Sequence, residues 1–265
     1  MKLSFSNIAW KAEQDEAVYK LLRDYGFSGL EIAPTRIFPE SPYDHLKEAD
    51  EWARQLKSRY LLEISSMQSI WRGRVENLFG SQQERQALLG YTRKAIDFAE
   101  AIGCHNLVFG CPKNRVVGSD TTQEQIKEIF NCIGNYAAAH NTVFSLEPVA
   151  ESYGTNFATN TVEALQLIKE VNNPGFRLNL DLGTMISNGE SADLLRGNVQ
   201  YINHVHISEP GLKEIQCRCL HSEVFRILNS EGYDKYISVE MGAVTDISQI
   251  SDVSNYVTRC TVMNS

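Results

Sequence analysis

Four short stretches in the second half of the chain alternate apolar and polar side chains, and each ends on an acid or a histidine: Phe144-Ser-Leu-Glu147, Leu178-Asn-Leu-Asp181, His204-Val-His206 and Ser238-Val-Glu240. A period of two marks a strand, whose successive side chains point to opposite sides. One face of the set carries Phe144, Leu146, Leu178, Leu180, Val205, Ile207, Ile237, Val239 and Met241. The other carries Ser145 and Glu147, Asn179 and Asp181, His204 and His206, Ser238 and Glu240. The terminal residues stand at 147, 181, 206 and 240, in steps of 34, 25 and 34 residues, each long enough for one strand and one helix. Helical patterns at 161–171 and 223–228 lie in these steps, so the strands are predicted to run parallel with helical crossovers.

The first half repeats the unit, with strands expected at 3–10, 29–34, 61–71 and 106–110. Helices are expected at 13–25, 43–57, 82–101, 124–139 and, last, 247–258. Eight such units in 265 residues predict one domain, 1–265, folded as a (β/α)8 TIM barrel. A doubly wound open sheet would carry a glycine-rich phosphate turn after its first strand, where this chain has Ala9-Trp10-Lys11-Ala12. No run approaches the roughly 20 apolar residues of a membrane span, and the chain opens on a strand, so a cytoplasmic protein without a membrane partner is expected. A net charge of −8 argues against a nucleic-acid partner. The six cysteines, Cys217 and Cys219 included, lack zinc-finger spacing and are expected to be reduced structural thiols.

Strand C-termini converge on the catalytic face of a TIM barrel, which brings Glu147, Asp181, His206 and Glu240 around one point. Three carboxylates gathered in a partly buried site repel one another unless a cation joins them. Oxygen and imidazole donors without thiolate point to one divalent cation, with Mn²⁺ the expected ion and Mg²⁺, Co²⁺ and Zn²⁺ alternatives that donor identity does not separate. A single strand-end acid more often caps a helix or pairs with a base, but three acids and a histidine at four coincident positions on successive strands favour the metal. One layer deeper, Ser145, Asn179, His204 and Ser238 replace the branched apolar residues usual in barrel interiors. They are expected to orient the metal ligands by hydrogen bonds, the alternative being a self-satisfied polar layer. Substrate contacts are expected from the remaining strand ends. Trp10 could stack on a sugar face or close the barrel mouth. Gln68 can bond hydroxyls, and Arg72 or Arg74 could meet an anion. Lys113 and Arg115, after the Gly110-Cys-Pro turn, suit a phosphate or carboxylate, unless the loop is merely solvated. Asn156 is a further candidate, after strand five. Glu31 and Glu209 stand at the same rim and are not expected to be catalytic.

Glu147-Pro148, Leu180-Asp181-Leu-Gly183, His204-Val-His206 and Val239-Glu240, with the opening Ser6-Asn-Ile-Ala-Trp10 and Gly29-Leu-Glu-Ile32, resemble the sugar phosphate isomerase/epimerase family of xylose isomerase-like barrels over most of the chain. That family includes ketose epimerases, aldose/ketose isomerases, hydroxypyruvate isomerases, inosose and dehydroshikimate dehydratases and the apurinic endonuclease branch. Resemblance to the epimerases implies a sugar or sugar phosphate whose carbonyl and adjacent hydroxyl bind the metal. Glu147 and Glu240 would then flank the carbon that loses its proton, one removing it and the other returning one. Proton return to the same carbon epimerises, and return to its neighbour isomerises. A metal-dependent dehydratase of a polyol ketone and a non-catalytic sugar-binding barrel are the alternatives, and the resemblance leaves room for a homo-oligomer. Departures from the family's patterns are also informative. Thr184 stands where many relatives place a histidine three residues after the Asp. The endonuclease three-zinc cluster needs histidines where this chain has Met67-Gln68 and Phe109-Gly110, which argues against DNA repair. The Arg-Tyr-Glu segment of the ketohexose epimerases is replaced by Glu151-Ser-Tyr-Gly-Thr-Asn156-Phe.

Overall fold

A computed structural model describes residues 1–263 and shows eight parallel strands closed into a barrel in sequence order. The strands are β1 (Lys2–Ser6), β2 (Gly29–Ile32), β3 (Glu63–Met67), β4 (Leu107–Phe109), β5 (Phe144–Leu146), β6 (Phe176–Asp181), β7 (Ile202–Ser208) and β8 (Tyr236–Glu240). Between and after them run α1 (Asp15–Asp24), α2 (Pro34–Ile37), α3 (Leu46–Tyr60), α4 (Gln82–Ala101), α5 (Gln123–Ala139), α6 (Thr161–Val171), α7 (Leu182–Asn188), α8 (Cys219–Ser230) and α9 (Ile247–Met263). The ring closes where β1 lies beside β8, with Leu3 opposite Ile237 and Phe5 opposite Val239.

The apolar strand faces turn outward against the helices, and Phe144, Leu146, Leu178, Leu180, Val205, Ile207, Ile237 and Val239 are all fully buried there. Leu88, Thr92, Ala95 and Ala99 recur at three and four residues along α4 and form its buried stripe. That helix starts at a reciprocal cap: Glu84 N–H donates to Ser81 Oγ, and Ser81 N–H donates to the Glu84 carboxylate at 2.8 Å. Thr122 and Gln125 repeat the device at α5. Burial of each large apolar side chain in such a core contributes about 1.5–3 kcal/mol.

The polar faces turn inward and bond across the barrel, as where Ser4 Oγ meets Ser65 Oγ at 2.6 Å and Gln68 Nε2 donates to Ser6 Oγ at 2.8 Å. β1 and β3 are shorter than their alternation suggested. β1 gives way to a 3-10 turn at Asn7–Ala9, where Asn7 Oδ1 accepts the Ala33 N–H at 3.0 Å and ties the ends of β1 and β2 together. β3 is bounded by left-handed residues on either side, Leu61 (φ 60) closing α3 and Ser69 (φ 54) opening the following loop. The short helices α2 and α7 were not anticipated. Among the described residues no disulfide forms, and no helix is long and apolar enough to cross a membrane.

Candidate active site

The barrel brings Glu147, Asp181, His206 and Glu240 together, each offering one donor atom within 4.8 Å of all the others. Glu147 directly follows β5, Asp181 and Glu240 end β6 and β8, and His206 lies within β7. Register sets Asp181 beside His206 and Glu240 beside Ser208. The Glu147 and Glu240 side chains are each 13% exposed and reach the cavity above, whereas His206 is fully buried. His206 Nδ1 lies 2.8 Å from Glu147 Oε1 and 3.2 Å from Glu240 Oε2, yet is aligned for a hydrogen bond with neither.

The other imidazole nitrogen explains that orientation. His206 Nε2 is 2.8 Å from Glu31 Oε2, which comes from β2 across the barrel. Burial pushes the Glu31 carboxyl upward, but the His206 imidazole, with hydrogen bonds from His204 and His206, outweighs it and holds the acid well below the usual carboxylate range. An ionised carboxylate only accepts, so Nε2 carries a proton, and Nδ1 is the nitrogen turned toward Glu147 and Glu240. Sequence reasoning missed this role for Glu31. Asn179 donates from Nδ2 to Glu147 Oε1 at 2.9 Å. His204 Nε2 meets Ser238 Oγ at 2.8 Å and Glu31 Oε2 at 3.3 Å, so that pair supports the site through Glu31. Ser145 does not orient a ligand as expected: its hydroxyl donates to Asn106 Oδ1 at 2.6 Å, and Asn106 donates on to Ser66. It belongs to a polar layer that satisfies itself.

Asp181 is also a helix cap. Its Oδ2 accepts the Thr184 N–H at 2.7 Å at the start of α7, and its Oδ1 accepts from Ser208. Each carboxylate oxygen has two lone pairs, so capping leaves Asp181 able to face the other three residues. Gly110 supplies the space: a Cβ there would lie 2.3 Å from Glu147 Oε2. Burial raises the carboxyls of Glu147, Asp181 and Glu240, and the negative charges of neighbouring acids raise them further. Burial lowers His206, but the charges of Glu31 and Glu240 and its contacts with Glu147 and Glu240 take it well above the ordinary histidine value. Converging acids and an imidazole nitrogen without a hydrogen bond are the donor set that a divalent cation completes.

Residues 19–255 match the xylose isomerase-like TIM barrel family. The chain belongs to that family. No curated protein sequence matches it. Among solved structures, the fold is similar to 3-keto-D-glucoside 4-epimerase YcjR from E. coli, apo form, at 18% identity and TM-score 0.74, covering 98% of this chain and 99% of that one. It is similar to D-psicose 3-epimerase with D-tagatose from Clostridium cellulolyticum H10, at 16% identity and TM-score 0.73, covering 100% and 98%. AP endonuclease, family 2, from Brucella melitensis is similar at 20% identity and TM-score 0.74, covering 97% and 99%. At these identities the likeness shows the shared fold.

In this xylose isomerase-like barrel Glu147, Asp181 and Glu240 line a cavity of about 610 Å³, within the range of small-molecule sites, and His206 is buried beside them. Gln68 and Lys113 line it, as do Arg72 and Arg74. Three expected contacts lie elsewhere. Trp10 is 2% exposed, donates from Nε1 to Asp15 at 2.8 Å and packs edge-on against Phe5, so it plugs the packing after β1 instead of meeting substrate. Arg115 is fully buried, donating from Nη1 to the Glu147 carbonyl at 2.7 Å and lying over Phe109 and Phe157. It braces the backbone behind Glu147 and does not line the cavity. Asn156 spends its amide on the backbone of Val117, accepting at 2.8 Å and donating at 2.9 Å, and lines a separate surface groove. Glu209 lines the cavity but is held by Arg218, whose Nε and Nη2 lie 2.6 and 2.5 Å from its two oxygens.

Proposed function

We propose that this barrel is a divalent-metal-dependent epimerase or isomerase of a sugar or sugar derivative. One observation carries the reading: Glu147 and Glu240 both approach the same His206 nitrogen, at 2.8 and 3.2 Å, and both line a cavity large enough for a sugar. Glu147, Asp181, His206 and Glu240 would hold the cation, Mn²⁺ before Mg²⁺, Co²⁺ or Zn²⁺. When bound, the cation supplies the positive charge that lowers the cost of an enediolate in the substrate. Burial raises both glutamates in the ion-free protein, which a bound cation would oppose. One glutamate removes the proton beside the carbonyl and the other returns a proton, to the opposite face of that carbon or to its neighbour. Asn179 fixes the Glu147 carboxylate, and Glu31 fixes the imidazole through Nε2.

The test is incubation of Mn²⁺-loaded protein in D₂O with ketoses, aldoses and their phosphates, followed by NMR. Deuterium is expected beside the carbonyl, abolished by chelator and by Glu147→Gln or Glu240→Gln. Full turnover in both variants would sink the two-glutamate assignment. An enone absorbance growing in place of deuterated sugar would identify a dehydratase instead.

A further inference from the structure

We propose that the joined loops after β3 and β4 form an anion-recognition rim, and that the substrate carries an oxyanion, phosphate or carboxylate, at the end remote from its reacting carbonyl. The substrate half of this inference rests on the proton-transfer reading above. The rim itself is argued from the loops.

The two loops are stitched into one unit. Asn114, 6% exposed, donates from Nδ2 to the carbonyls of Arg74 at 3.1 Å and Glu76 at 2.8 Å. Leu78 N–H returns a bond to the Asn114 carbonyl at 2.8 Å, and Asn77 Nδ2 reaches the Val116 carbonyl at 2.7 Å. Side chains on one loop are thereby held relative to the other, which reduces the ordering cost of gripping one ligand with both.

Charge pairing around the cavity leaves a residue of one sign. Arg72, Arg74 and Lys113 line it together with Glu147, Asp181, Glu240 and Glu209. Glu209 is answered by Arg218, and Arg74 is answered by Glu76 and lies over Tyr91 at 5.0 Å. The other three acids face His206 and the proposed cation. Arg72 and Lys113 form no ion pair among the described residues, in a protein with 33 acidic and 25 basic side chains. Two unpaired cations on a preformed cavity wall above a metal-binding floor fit a substrate with its carbonyl below and its anion above.

Calorimetric titration of the Mn²⁺-loaded protein compares D-ribulose with D-ribulose 5-phosphate, D-glucose with D-glucuronate, and inorganic phosphate alone, in wild type, R72Q, K113Q and R72Q/K113Q. An exposed ion pair contributes a factor of about three, so with Arg72 and Lys113 both exposed the anionic partner should bind about tenfold more tightly to wild type. The advantage should shrink in each single variant, vanish in the double, and stand unchanged in K20Q, an exposed cation of α1 that does not line the cavity. The pair showing the advantage tells phosphate from carboxylate. If no anion, inorganic phosphate included, binds wild type more tightly than R72Q/K113Q, the rim is overturned. Deuterium uptake read on the same samples separates the two readings. Absence of uptake with the anionic advantage intact sinks proton transfer alone, and uptake without the advantage sinks the rim alone.

Discussion

At His206 the two ring nitrogens have different partners: Nε2 is held from across the barrel by Glu31, and Nδ1 faces Glu147 and Glu240. Removing the charge that fixes a ligand's tautomer typically weakens metal binding by about 10- to 100-fold. Glu31→Gln should show that loss in a Mn²⁺ titration while far-ultraviolet circular dichroism stays native. Unchanged affinity would remove Glu31 from the site. Side-chain alternation within β5 to β8 made the four converging residues legible in the sequence, because each strand declares its own inward face. The Glu31 contact was not legible, since the meeting of β2 and β7 across the interior is a property of barrel closure and leaves no local pattern. Arg115 and Asn156 misled for a related reason. Both lie in loops of suitable polarity, but loop polarity does not tell a side chain that faces ligand from one that satisfies neighbouring backbone.

Helix α7 begins on Asp181, so one carboxylate serves a secondary-structure element and the candidate metal centre at once. Asparagine caps helices about as well as aspartate does, which allows the two duties to be separated. Asp181→Asn should change stability by less than about 1 kcal/mol while reducing Mn²⁺ affinity at least tenfold; a large fall in the urea midpoint with affinity retained would assign Asp181 to capping alone. Another element-level contact joins α8 to α9, where His221 Nδ1 meets the Tyr256 hydroxyl at 2.9 Å. Burial depresses His221 from 6.5 to about 4, so the unfolded chain takes up a proton in that interval and the folded protein does not. Stability from this residue is intact above pH 6.5 and is lost progressively toward pH 4, by up to about 3 kcal/mol. The pH dependence of the urea midpoint should therefore be shallower in His221→Gln, and identical slopes would remove the effect. α4 and α6 matched their sequence periodicity to the residue because caps and apolar stripe agree there. α7 escaped notice because its seven residues are too few to establish a period.

Across the whole molecule, an ion-free barrel must accommodate three partly buried acids that raise one another's proton affinity, and binding a cation would relieve that repulsion. Mn²⁺ at 100 times its dissociation constant would stabilise the fold by about 2.7 kcal/mol, a melting shift of about 5–10 °C for a protein of this size. Thermal scans with Mn²⁺ and then with chelator should show the shift appear and reverse; coincident curves would exclude a resident ion at these residues. The eight-unit barrel was readable from strand spacing because parallel strands require crossovers of similar length, whereas the cavity wall depended on loop conformations that spacing does not encode. All four converging residues lie within or directly after β5 through β8, their brace Glu31 belongs to β2, and the ring is sealed only when residues 2–5 meet 236–239. A chain emerging from the ribosome therefore cannot assemble these four residues and their brace in a closed ring until its last strand is made, so any ion held there would favour only the finished ring.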